Sequence, residues 1–117
     1  MTGIDPRAWS MPEDRGPDSL EANMRAIMKD LGLWGFHVRN SIGSERGWPD
    51  WVILGPRGGL HRELKSQRGA LSPEQRSVGA RLIAAGFNWG VWRPQDLFSG
   101  VIAAQLVRIA GIYEEAA

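Results

Sequence analysis

The sequence contains no cysteine, which excludes disulfides and thiolate metal sites and fits a reducing compartment. With only two histidines, a zinc cage is not expected. An excess of one charge is also missing. The 117 residues carry a net charge of +1, so a nucleic-acid surface would have to come from local clustering. No apolar run approaches the roughly 20 residues of a membrane span. The N-terminal stretch, with Asp5, Pro6 and Arg7, lacks the apolar centre of a signal peptide. Together these absences point to a cytoplasmic protein with no membrane partner.

What is present is ordinary for a globular chain: 43% hydrophobic and 23% charged residues. A chain of this length buries roughly 60–70% of its unfolded surface, enough for one core. Residues 1–17, with Gly3, Pro6, Pro12, Gly16 and Pro17, are expected to form an irregular arm that Trp9 and Met11 could pin to the body. Residues 18–117 are expected to form a single domain.

The apolar spacing Leu20, Met24, Ile27, Met28, Leu31 predicts an amphipathic helix from Asp18 to Leu31, with Asp18 as N-cap, Glu21 three residues on and Gly32 as the stop. Residues 36–40 read as a short strand and 41–48 as a loop. Residues 50–65 read as a hairpin whose turn falls in Gly55–Gly59. Ser72-Pro73 opens a second helix that Gly86 ends, with Val78, Leu82 and Ile83 as its stripe. Residues 88–92 read as a strand. A last helix over 94–109 is interrupted at Gly100. Its 101–110 portion is apolar nearly all round, which suggests burial in the core or in a homodimer interface. The expected fold is α/β, with a central sheet flanked by helices.

Three short motifs stand close together: Gly47-Trp48-Pro49-Asp50, Arg62-Glu63-Leu64-Lys65 and Ser72-Pro73-Glu74-Gln75. Strand alternation puts His61, Glu63 and Lys65 on one face and Leu60, Arg62 and Leu64 on the other. With a turn centred on Arg57-Gly58, Asp50 would lie opposite Lys65 and Val52 opposite Glu63. Asp50 and Glu63 would then be diagonal neighbours, roughly 7–8 Å apart. A slip of one residue would separate them onto opposite faces. Two carboxylates, a backbone carbonyl and water suit a hard cation such as Mg²⁺ or Mn²⁺. Lys65 beside them supplies positive charge for a phosphoryl centre. Gln75 could orient a water or complete a capping box with Ser72. Glu21 could reach the same centre or cap its own helix. Arg39, Arg46, Arg57, Arg62 and Arg68 could line a phosphate track. Taken singly, each of these residues also has an ordinary structural role.

Taken jointly, Gly47–Asp50, Arg62–Lys65 and Gly69–Gln75, followed by Ala85-Gly86, Val91–Pro94 and Asp96, resemble the VRR-NUC family of the PD-(D/E)xK nuclease superfamily over about residues 20–103. The resemblance implies a restriction-endonuclease-like αβββαβ core with a central mixed sheet. It implies Asp50, Glu63 and the Leu64 carbonyl as ligands of Mg²⁺ or Mn²⁺, Lys65 as the catalytic lysine, Gln75 as the motif glutamine and Glu21 as the acidic residue of the first helix. It further implies cleavage of DNA. Stand-alone, phage-type members are similar to Holliday-junction resolvases and act as homodimers, so four-way junctions in a bacterial or phage-infected cytoplasm are the expected setting. A non-catalytic branched-DNA-binding module and a less selective nickase or flap nuclease are the alternatives. One departure from the family pattern is Arg62, where an apolar residue is usual. It leaves open what covers the back of that strand.

Overall fold

The computed structural model describes residues 3–38 and 45–111. Its helices start where the sequence supplies caps. Helix α1, Leu20–Leu31, is capped by the Ser19 hydroxyl, which accepts from the Ala22 N–H; Gly32 closes it with a φ of 67°. The cap is thus Ser19 rather than Asp18, because the chain stays extended one residue further than the Asp18–Glu21 spacing suggests. Strands β1, Trp34–His37, β2, Trp51–Gly55, and β3, Gly58–Leu64, follow. Helix α2, Pro73–Ala84, begins with a full capping box between Ser72 and Gln75 and has Pro73 in its first turn. Strand β4, Trp89–Trp92, leads to α3, Pro94–Phe98, and α4, Val101–Ala110. Gly100, at a φ of 86°, separates the last two helices. A side chain is strained there, and glycine is not.

The sheet order is β1-β2-β3-β4. The first three strands are antiparallel neighbours, and β4 runs parallel to β3. This is an α/β fold with a four-stranded mixed sheet flanked by helices, and the element order agrees with an αβββαβ core. One face buries Trp51, Ile53, Leu60, Leu64 and Trp92 against Leu20, Met24 and Met28 of α1 and Ile102, Leu106 and Ile109 of α4. On the other face α2 lies over β4, where Gly79 lets the helix sit on the Trp89 ring. The β1–β2 half of that second face stays open, with Trp34, Phe36 and Leu54 exposed.

The hairpin register differs from the expected one by two residues. Gly55 pairs with Gly58, so the turn residues are Pro56 and Arg57, and Val52 faces His61. Proline's fixed φ suits the first turn position and pulls the turn one residue earlier than Arg57-Gly58. A two-residue shift preserves facing, so His61, Glu63 and Asp50 remain on one side.

Two expectations change. Residues 3–17 include one turn of 3₁₀ helix, Pro6–Trp9, and are bonded to the body: the Leu20 N–H donates to the Pro12 carbonyl at 2.9 Å and the Asp5 N–H to Gln95 Oε1 at 2.7 Å. The apolar side of α4 has its partners inside the chain. Ile102, Leu106, Ile109 and Ala110 are buried, and the outward positions are Val101, Ala104 and Arg108. The 101–110 helix therefore gives no reason to expect a second copy there, because the small core needs it. Among the described residues no helix is long and apolar enough to cross a membrane.

Gly79 offers a check on the α2 seat. A Cβ at this position would meet Trp89 ring carbons at 2.5 Å. Alanine favours a helix by roughly 0.5–1 kcal/mol over glycine, but overpacking costs roughly 1–3 kcal/mol. Gly79→Ala should therefore lower stability by about 1–2 kcal/mol in urea unfolding.

Candidate functional site

The site is set by where β2 begins. Pro49 is buried and Asp50 stands one residue before the first β2 pair. Continuing the Trp51–Arg62 register places Asp50 directly opposite Glu63. Opposed residues lie roughly 4.5–5.5 Å apart at Cβ, closer than the diagonal spacing expected from sequence. Asp50 is held by two contacts. Its Oδ2 accepts the Leu64 N–H at 2.9 Å, and its carbonyl accepts the Val38 N–H at 2.8 Å. In a strand the N–H and C=O of one residue leave on the same side. The Leu64 carbonyl therefore shares the edge that carries Asp50.

Glu63 is 3% exposed. Its Oε2 accepts from Gln75 Nε2 at 3.0 Å and lies 3.9 Å from Lys65 Nζ. Its Oε1 is buried with no donor against it. Burial first, then the Asp50 charge and a hydrogen bond shared with the Asp50 carboxyl, push the Glu63 carboxyl up to about 8, with Lys65 opposing. Two carboxyls so placed satisfy one another by sharing a proton, or by sharing a cation that takes its place.

Gln75 serves both ends of its amide. Oε1 accepts the Ser72 N–H at 2.8 Å in the capping box, while Nε2 holds Glu63. The helix cap therefore fixes the orientation of the amide that holds the acid. The Gly47 loop supports the same corner, since a Cβ at Gly47 would meet the Glu74 carbonyl at 2.3 Å. His61 lies on the same face between Trp48 and Phe87, with ring centroids at 5.8 and 5.4 Å; burial lowers its pKa, and its Nδ1 has no partner.

The structure thus brings Asp50, Glu63, Lys65 and Gln75 together and leaves Glu21 elsewhere. Glu21 Oε1 pairs with Arg25 Nε at 3.1 Å and lies 3.8 Å from His37 Nδ1. An acid within electrostatic reach of the centre is Glu13, from the arm. Burial and the Asp50 charge raise its pKa, while Lys65 and the Ser66 backbone act the other way. Nothing in the motif spacing marks Glu13; the only sequence signal is that it is an acid two residues beyond Met11, which packs on the core. Among the described residues no three or more His, Asp or Glu side chains are grouped for a metal. Any ion here would rest on Asp50, Glu63 and backbone oxygen, and would keep several waters.

The proposed arginine track does not form as drawn. Arg62 is 4% exposed on the core face and donates to the Asn88 carbonyl at 2.8 Å, Asn88 Oδ1 at 3.0 Å and Gln105 Oε1 at 3.0 Å. It lies 5.2 Å from the Trp92 ring centroid, and burial pulls its pKa down to about 10. These polar partners and Trp92 are what cover the back of β3. Arg68 lies over the Trp9 ring at 4.5 Å, Arg46 is exposed, and Arg39 falls outside the described residues.

No family model, curated protein or solved structure matches the chain.

A carboxyl whose pKa is raised by folding binds its proton more tightly in the native chain. Its contribution to stability is complete below its ordinary value of 4.5 and is lost as pH rises through about 8. Without added metal, the urea midpoint should fall steadily between pH 4.5 and 8. Glu63→Gln should flatten most of that slope, leaving the smaller part from Glu13, which has the same sign.

Proposed function

We propose that this chain is a divalent-metal-dependent endodeoxyribonuclease that hydrolyses phosphodiester bonds in branched DNA, such as four-way junctions, and works as a homodimer. The observation that carries the reading is a buried Glu63, beside Asp50, whose Oε1 has no donor while Oε2 meets Gln75 and Lys65. A buried acid kept beside a second acid costs stability and is found where chemistry uses it. The donor set fits a hard cation: Asp50, Glu63 and the Leu64 carbonyl would hold Mg²⁺ or Mn²⁺. When bound, the ion would supply a more acidic water and positive charge for the leaving oxygen.

The remaining roles belong to the chain. Gln75 keeps Glu63 turned towards Asp50 and is itself held by the α2 cap. Lys65 places a half-buried ammonium on the same face, where it favours negative charge growing on a phosphoryl group. The branched-DNA part of the reading rests on the motif resemblance and on charge. A net charge of +1, with Arg62 turned into the core, suits a few shaped contacts better than a long basic groove.

For pairing of two copies, β1 is favoured over α4. It is a sheet edge, and the open face beside it carries Trp34, Phe36 and Leu54, which are 59%, 53% and 47% exposed.

With Mg²⁺ or Mn²⁺, labelled four-way junctions should be cut faster than plain duplex, flap or RNA substrates. Asp50→Asn and Lys65→Ala should each lower the cleavage rate at least ~100-fold. No cleavage by the wild-type chain, or cleavage unchanged by both substitutions, would overturn the nuclease reading. Light scattering should show a dimer at micromolar concentration that Trp34→Glu with Phe36→Glu makes monomeric; a wild-type monomer would remove the homodimer from the proposal.

A further inference from the structure

Three aromatic rings lie beside the acid pair and outside the hydrophobic core. His61 is fixed in β3 by its N–H, which donates to the Asn88 carbonyl at 2.8 Å, and it stands two residues before Glu63 on the same face. The Trp48 ring meets it at an interplanar angle of 86° and the Phe87 ring at 70°. Local chain geometry places both outer rings. Gly47, at a φ of 92°, lies so close to the Glu74 carbonyl that a side chain has no room, and Pro49 is buried. Trp48 stands between these two fixed points. Phe87 follows the end of α2, where its N–H donates to the Leu82 carbonyl at 2.9 Å and the Gly86 N–H to the Ile83 carbonyl at 3.0 Å.

These rings lack a cover. Trp48 and Phe87 are exposed, and their contacts with His61 are steep rather than parallel. Among the described residues no cation or parallel ring lies over either. Trp9, by contrast, has Arg68 over it, and Trp34 stacks on Phe36 at 11°. Position points to what fits there. Alternate residues of a strand advance roughly 6–7 Å, so the rings begin roughly one or two nucleotides from the acid pair at about 3.4 Å per base. A DNA strand that brings a phosphate to Asp50 and Glu63 along this line brings a neighbouring base to the rings. Arg46 and Arg76 are exposed on the two segments that meet at Gly47, but so are Glu45 and Glu74. With the signs balanced, stacking is the main attraction. A base inside a duplex must first leave its stack, whereas an unpaired base gives up less.

We propose that Trp48 and Phe87, with His61 between them, form a stacking platform for an unpaired nucleobase beside the cleaved phosphate, and that this platform makes the chain prefer branched DNA to plain duplex. The cleaved phosphate rests on the nuclease reading; the stacking is read without cleavage.

The test is binding by the full chain without metal. One probe is a four-way junction with an unpaired thymine at the branch point; the other carries an abasic site there. Wild type should bind the thymine junction about 5–100-fold more tightly, the range of one stacked base. Trp48→Ala with Phe87→Ala should remove most of that difference, and Trp48→Phe with Phe87→Tyr should keep it. If the alanine pair unfolds the chain, wild type alone decides: 5-iodouracil in place of the thymine should cross-link under ultraviolet light to peptides holding Trp48 or Phe87. Equal affinity for the two junctions, or cross-links to other peptides only, overturns the inference and leaves the nuclease reading standing. A thymine preference in a chain that cuts no DNA with Mg²⁺ or Mn²⁺ supports the platform and removes the nuclease reading alone. A wild-type dimer that the alanine pair makes monomeric assigns the rings to a second copy and overturns the inference.

Discussion

A carboxyl group buried beside another carboxyl is the constraint on which the rest of this structure depends. Glu63 has 3% of its surface exposed, and Asp50 lies beside it, just before β2 begins. Isolated, an ionised acid in such a place is costly. The surroundings offset that cost in parts. The Gln75 amide and the Lys65 ammonium serve Oε2, while Oε1 has no hydrogen-bond partner. Each of these depends on something further back. Gln75 is oriented by the Ser72 cap, and Asp50 by the Leu64 N–H. The α2 cap, the hairpin and the candidate chemistry are therefore one connected piece, and Oε1, without a donor, is where that piece is incomplete.

Strand β3 carries a second unusual burden on its opposite face. Arg62 enters the core with no carboxylate among its hydrogen-bond partners in the described residues. The guanidinium is instead wrapped by carbonyl and amide oxygens and by Trp92, an arrangement its flat, weakly hydrated shape suits better than a lysine would. Gln105 bridges the two, accepting from Arg62 and from Trp92 Nε1 at 2.8 Å. One seven-residue strand thus holds an acid for one face and a cation for the other. Both are fixed by side-chain amides from neighbouring helices or loops.

The arm shows how sequence distance misleads about site membership. Glu21 lies on a well-patterned helix and looks like the natural third acid, but Arg25 one turn on takes its carboxylate. An i, i+4 pair of this kind needs no tertiary structure to form, so it competes with any longer reach. Glu13 lies in a stretch with no periodic pattern, and only the docking of that stretch brings it within electrostatic reach of Asp50 and Lys65.

Much of the fold was legible in local chemistry. The Ser72-Pro73 start, the Gly32 stop, the break at Gly100 and the alternation that puts Glu63 and Lys65 on one face are all properties of a few neighbouring residues. So was the α/β order of elements, because apolar periodicity and turn residues act over one or two turns of chain. Other features needed the assembled molecule. The register moved by two residues because Pro56, not Gly58, set the turn, and this left Asp50 just beyond the last ladder pair. The apolar 101–110 helix gave no clue whether it faced a partner or its own core; the sheet it covers decided that. Arg62 could be assigned to the back of its strand by parity, but not given partners, since Asn88 and Gln105 come from later elements. Local sequence was enough to say which side chains could share a face and, at Ser72-Pro73, where a helix begins. Which of them meet was decided only by packing, because those contacts join residues far apart in the chain.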